Sequence, residues 1–200
     1  MKSCFVVLFA ILGIAHVNGK PKNIINDEMR SELLDMHNNY RSQLAEGLIV
    51  TEKGEAGPAA KMIKMVYGKK LEKSAFESAA KCRSYASSSA AYDENLHVAH
   101  DEDFIQEALS EWFGEIYEKA QEETASVYSP SYNSYANMAW DTRKRVGCAI
   151  VECTGKIHVV CHYPPIANKE GQKIYEKGAK CSKCGSYGSG FKCVEGLCTK

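Results

Sequence analysis

The 200-residue sequence lacks net charge: 25 lysines and arginines stand against 25 aspartates and glutamates. A chain without a basic excess offers no electrostatic footprint for nucleic acid. Long apolar runs are also missing. The longest begins at Phe5 and ends at Val17, short of the ~20 residues a membrane-spanning helix needs. Nothing later approaches that length, which argues against stable membrane insertion. No G-x-S-x-G stretch occurs, so the strand–turn–helix serine nucleophile is absent. Internal repeats are absent as well, which excludes solenoids and propellers.

What is present begins with a leader. Met1-Lys2-Ser3, the apolar core and Val17-Asn18-Gly19 read as a signal peptide over residues 1–19, cut near Gly19. The mature chain is therefore expected to be secreted and extracellular, with a charge near −1 once Lys2 is lost. Cys4 lies in the leader. The other eight cysteines are Cys82, Cys148, Cys153, Cys161, Cys181, Cys184, Cys193 and Cys198. An even number in an oxidising compartment implies a disulfide framework. Zinc is the competing reading, because Cys181-Ser-Lys-Cys184 is a C-x-x-C pair with Cys193 and Cys198 spaced C-x4-C. The oxidising compartment favours disulfides. Charge is unevenly spread: Asp101–Glu123 holds nine acids against Lys119 alone, and Lys169–Lys200 holds seven lysines against three glutamates. This reads first as a solvated acidic helix face and a soluble basic tail, and alternatively as a dipolar surface that steers a charged partner.

The pattern along the chain predicts helices and a few strands. Asn26 or Asp27 caps a helix whose stripe is Leu33, His37, Tyr40 and Leu44, ended by Gly47. Residues 48–60, with Gly54, Gly57 and Pro58, read as a loop, and Met62–Tyr67 as an edge strand. Leu71, Ala75, Phe76, Ala79 and Cys82 mark a second helix. A loose Ser/Ala connection follows, and Ile105, Ala108, Trp112, Ile116 and Ala120 mark a third helix with an acidic outer face. Tyr128–Tyr135 reads as a loop. Val146–Val151 and Lys156–Tyr163 are strands joined by a tight turn at Cys153-Thr-Gly-Lys. The composition then shifts to Gly, Lys, Ser and Cys. The expected organisation is a domain over 20–165 and a cysteine-held tail over 166–200. The fold class is α+β, with helices flanking a small antiparallel sheet.

Six stretches in this order resemble the CAP superfamily of cysteine-rich secretory, antigen-five and pathogenesis-related proteins. They are His37-Asn38-Asn39-Tyr40-Arg41, Tyr67–Leu71, Glu94-Asn95-Leu96, Ala108–Glu115, Asn137–Trp140 into Val146-Gly147-Cys148, and Cys161–Asn168. The tail cysteines are similar to endings of nematode Ancylostoma-secreted proteins. The resemblance implies a three-layer α-β-α sandwich, and disulfides Cys82–Cys153, Cys148–Cys161, Cys181–Cys193 and Cys184–Cys198.

It also implies a central cavity in which two histidines and two glutamates can hold a divalent metal. The glutamates carry over to Glu94 and Glu115. The histidine positions carry over to Ala86 and Ser134, so the metal pair is replaced. Asp93 stands where glycine is usual. No metal or other cofactor is expected, and with no well-placed base or nucleophile the chain is read as no enzyme. Two other histidines, His97 and His100, are expected at the surface, and His37 in the core, as are Trp112 and Trp140.

The relatives imply a binder of a host cell-surface protein, with inhibition of platelet aggregation or adhesion through integrins as the leading reading. Lys53-Gly54-Glu55 could present a basic residue, glycine and a carboxylate to such a receptor, and the polar loops 48–60 and 124–137 are where a rigid scaffold would carry recognition. The alternatives are lipid or sterol carriage and another immunomodulatory host-receptor contact. The oligomeric state is left open.

Overall fold

The computed structural model describes residues 20–52, 54–87, 89, 91–100, 102–118, 125–167 and 170–200; the leader, Lys53 and part of the 124–137 segment lie outside them. The first helix, α1 (Asp27–Glu46), starts where Asn26 accepts a hydrogen bond from the Met29 amide at 2.8 Å. It stops at Gly47, whose φ of 76° is one that glycine adopts freely. A small hairpin follows, β1 (Val50–Thr51) and β2 (Gly54–Glu55), where a plain loop is expected. Next come β3 (Val66–Tyr67), α2 (Lys69–Ala79), β4 (Asp93–Ala99), α3 (Phe104–Glu118) and α4 (Asn133–Ala139). The chain then forms β5 (Arg145–Cys153) and β6 (Lys156–Tyr163), and ends in the hairpin β7 (Lys192–Val194) and β8 (Leu197–Thr199).

The central sheet runs β3-β5-β6-β4. Three strands pair antiparallel, but β3 joins β5 in parallel, so the sheet is mixed. Alternation along β5 places Cys148 and Ile150 in the main core with α1, α3 and α4. Ala149, Val151 and Cys153 face α2, through Ala75 and Ala79. This is a three-layer α-β-α arrangement of the α+β class. Gly147 makes the second layer possible: a Cβ there would lie 2.5 Å from the Glu72 amide and the Gly68 carbonyl, so the first turn of α2 rests directly on the strand.

Three further elements differ from expectation. The segment read as a loose connection ends in β4, which pairs with β6 along its full length, from Asp93↔Tyr163 to Ala99↔Ile157. Its buried positions carry Glu94, Asn95 and His97, which hide the apolar alternation of a strand. Tyr128–Tyr135 is not a loop throughout: Pro130–Tyr132 forms a 3-10 turn that runs into α4. Of Met62–Tyr67, only Val66 and Tyr67 join the sheet. Ile63 instead pairs with Cys198 of the tail, with the Cys198 amide on the Met62 carbonyl at 2.7 Å and the Lys64 amide on the Cys198 carbonyl at 3.0 Å.

Although poor in large apolar residues, the tail supplies Ile174, Tyr175 and Leu197 to the main core. The disulfides are Cys82–Cys153, Cys148–Cys161, Cys181–Cys193 and Cys184–Cys198, the pairs that the resemblance implies. Cys82–Cys153 spans the longest stretch, 71 residues, and ties the end of α2 to the end of β5. Replacing both of its cysteines with alanine should cost about 2–5 kcal/mol in denaturant unfolding, more than replacing either tail pair.

His37 lies in the core, fully buried. Its Nδ1–H donates to the Leu33 carbonyl at 2.6 Å, and Nε2 accepts from the Tyr163 hydroxyl at 2.8 Å. Burial lowers its pKa to about 4. The unfolded chain takes up this proton near pH 6.5 and the folded chain does not, so the unfolded state binds more protons between these values. Stability should therefore fall as pH drops through this window, by up to about 3 kcal/mol. In unfolding series from pH 7 to 4, His37→Gln should flatten this fall.

Candidate functional site

A cleft of about 390 Å³ opens beside the start of β4, where Asp93 and Glu94 meet Ala86 and Ser87 from the α2–β4 connection. Tyr92, Tyr128 and Asn133 complete its walls. Glu94 is the most constrained group in it. Its Oε2 accepts from the Ser78 hydroxyl at 2.5 Å, the Ser87 hydroxyl at 2.9 Å and His162 Nε2 at 2.7 Å. Its Oε1 accepts from the Ser87 amide at 2.5 Å, and the Arg83 guanidinium stands 3.8 Å away. Burial alone would raise the Glu94 pKa, but the bonds from His162, Ser78 and Ser87 outweigh it and hold the carboxyl below its ordinary range.

His162 is itself fully buried. Its Nδ1 lies 2.8 Å from Ser74 Oγ, and the Tyr92 ring stacks on it at 3.7 Å between centroids. A serine, an imidazole and a carboxylate thus stand in line. Ser74 Oγ, however, donates to the Leu71 carbonyl of its own helix at 2.8 Å and does not line the cleft. The arrangement clasps α2 to the sheet. Its signal in the sequence was faint: only the alternation of Cys161-His162-Tyr163 places the imidazole on the α2 face.

Asp93 faces a different cation. It accepts from Arg143 Nη2 and, at 3.1 Å, from the Ala167 amide. Burial lowers the pKa of the Arg143 guanidinium, with Asp93 opposing. Glu115, on α3, does not join Glu94 in the cleft wall; it accepts the Tyr135 amide at 2.9 Å in the first turn of α4. Ser134 is its neighbour on α4 and accepts Asn95 Nδ2 through its main-chain carbonyl at 3.0 Å. The structure thus brings Ala86 and Glu94 together and places Ser134 and Glu115 side by side on the α3–α4 contact.

These residues do not fit a divalent metal. Ala86 and Ser134 offer no imidazole, and Glu94 is occupied by its own partners. Among the described residues no group of three or more His, Cys, Asp or Glu side chains could hold an ion. The expectation for the other histidine pair is half corrected. His100 is exposed, but His97 is turned inward by β4, with Nε2 2.9 Å from Glu107 and Nδ1 3.0 Å from Glu111. Carboxylates on opposite ring nitrogens clasp α3 to β4 and cannot share one ion with that ring.

Of the recognition tripeptide, Lys53 and the Glu55 side chain are outside the described atoms. Gly54 opens β2 opposite Thr51, whose hydroxyl donates to the Gly54 carbonyl at 3.0 Å. Leu48 and Val50, beside this hairpin, are 62% and 65% exposed.

Removing one member of a buried, hydrogen-bonded charge pair is costly. Glu94→Gln should therefore destabilise the protein by about 3–5 kcal/mol in denaturant unfolding. Calorimetric zinc titration should give the same absence of a stoichiometric site in both forms. A tight site in the parent chain that disappears in Glu94→Gln would show the carboxylate to be a ligand instead.

Comparison with known proteins gives consistent matches. The profile of the Cysteine-rich secretory protein family (CAP) covers residues 34–163. Hookworm platelet inhibitor 1 of Ancylostoma caninum is 38% identical over 96% of this chain and 94% of that protein. Ancylostoma secreted protein of the same organism is 33% identical over 88% of this chain, which spans 45% of that longer protein. The crystal structure of Hookworm Platelet Inhibitor superposes with a TM-score of 0.72 at 36% identity, covering 88% of this chain and 93% of that one. That of NaASP2 with Zn2+ gives 0.79 at 32%, covering 90% of this chain and 100% of that one. With its fold, four disulfides and matched segments, the chain belongs to the cysteine-rich secretory protein (CAP) family.

Proposed function

We propose that this chain is a secreted binding protein that acts on a host extracellular target without catalysis, and that the target is a platelet surface receptor of the integrin class. Similarity to a protein named as a platelet inhibitor, over nearly the full length of both, supports the choice of target. The observation that carries the reading is the β1–β2 hairpin. It leaves Glu52 exposed, with the large apolar side chains of Leu48 and Val50 uncovered beside it. Exposed apolar groups next to charged turn residues are a common composition for a protein contact. In this reading Lys53, Gly54 and Glu55 meet the receptor, with the Glu55 carboxylate reaching its metal. No helix of the described residues is long and apolar enough to cross a membrane, and secretion follows from the leader over residues 1–19. The α-β-α unit over 20–165 serves as the scaffold. The site has no part for a metal.

Oxidised recombinant protein should inhibit platelet adhesion to an integrin ligand. Lys53→Ala with Glu55→Ala should weaken inhibition at least about tenfold, the loss expected of interface hot spots, with an unchanged melting temperature. Full inhibition by the double variant would remove the hairpin from the contact. Failure of the parent protein to bind platelets at micromolar dose would remove the target.

A further inference from the structure

On another part of the surface, the tail and the domain together form a trough of about 610 Å³. Its sides come from three separate segments: Thr142 and Lys144 of the α4–β5 connection with Arg145 at the start of β5, Pro164 and Pro165 after β6, and Tyr187 from the tail. We propose that this trough binds a segment of a partner protein that carries acidic residues beside an apolar side chain.

The chemistry is read from the lining. Lys144 and Arg145 are exposed, and among the described residues neither has an ion-pair partner, whereas the neighbouring Arg143 and several surface lysines do. Two uncompensated cations side by side call for anionic groups. Between and below them the surface is apolar. The two proline rings present only carbon, and the Tyr187 hydroxyl is turned away, donating to the Lys61 carbonyl at 2.9 Å, which leaves its ring to the trough. Val66, paired with Arg145 across the sheet, is 54% exposed and extends the apolar rim.

The floor is rigid. Tyr187 ends a 3-10 turn that starts at Cys184, which is bonded to Cys198, and its ring packs against Phe191 at 5.6 Å between centroids. A site held in shape before binding loses less freedom on binding. Shape also chooses the occupant. Thr142, Lys144, Arg145 and Pro165 are all exposed, so the trough is open along its length. An alkyl chain laid in it would stay largely wet, whereas an extended peptide buries one row of side chains and leaves the other in water. This surface is separate from the β1–β2 hairpin, and the inference stands or falls independently of the platelet reading.

The test uses full-length oxidised protein and a fluorescein-labelled short peptide of alternating Glu and Leu, followed by fluorescence anisotropy. Binding should weaken at least about tenfold in Lys144→Gln with Arg145→Gln, two exposed sites whose change leaves the circular dichroism intact, and should be unaffected by Lys53→Ala with Glu55→Ala. A peptide of alternating Lys and Leu should not bind. Equal affinity of the Lys144/Arg145 variant, or equal binding of a Glu–Ser peptide without apolar side chains, would overturn the proposal. So would displacement of the peptide by oleate at lower concentration, which would identify the occupant as an anionic amphiphile.

Discussion

The fold depends on one buried cation. Arg41 is completely inaccessible to solvent, and its guanidinium bonds run to the main-chain carbonyls of Ile63, Met138, Trp140, Asp141 and Arg143. Burial lowers its pKa only to about 10, so it stays charged at neutral pH. Five N–H donors in a rigid fork suit a cluster of carbonyls that no helix or sheet ladder satisfies. The consequences spread outward. Holding the 138–143 turn fixes Arg143, Arg143 holds Asp93, and Asp93 begins the strand that carries Glu94. The cleft is thus the far end of a chain of polar bonds that starts on α1.

The same logic governs the acids. A count of carboxylates around the cleft suggests a negative cavity waiting for a cation. The structure gives each acid a different partner: Arg143 for Asp93, His162 and Arg83 for Glu94, and an amide at the start of α4 for Glu115. A buried polar network of this kind is valuable only when every member is satisfied. In this chain Glu94 and Glu115 hold layers of the fold together.

Much of the architecture could be read from the sequence because it rests on periodicity and chain punctuation. The α1 stripe, the Asn26 and Gly47 caps, the β5–β6 hairpin and the core histidine His37 follow from local rules. The parts that escaped are those where polar residues occupy buried positions. Strand β4 gives no strand signal because Glu94, Asn95 and His97 sit inside. Arg41 and Arg143 look like surface charges until their distant carbonyl and carboxylate partners are known. For His162, no local signal says that the neighbouring side of the sheet offers a serine and a glutamate. In the tail, low apolar content suggests an appendage, yet three of its large apolar residues, Ile174, Tyr175 and Leu197, enter the core.

That last feature sets an order in time. Met62 and Lys64 find their hydrogen-bond partner at residue 198, and Tyr175 donates to the carbonyl of Ala56, more than a hundred residues earlier. A growing chain emerges amino end first. The helices and the sheet can therefore be assembled while part of their interior is still absent, and this packing is finished only after residues 174–198 have been made.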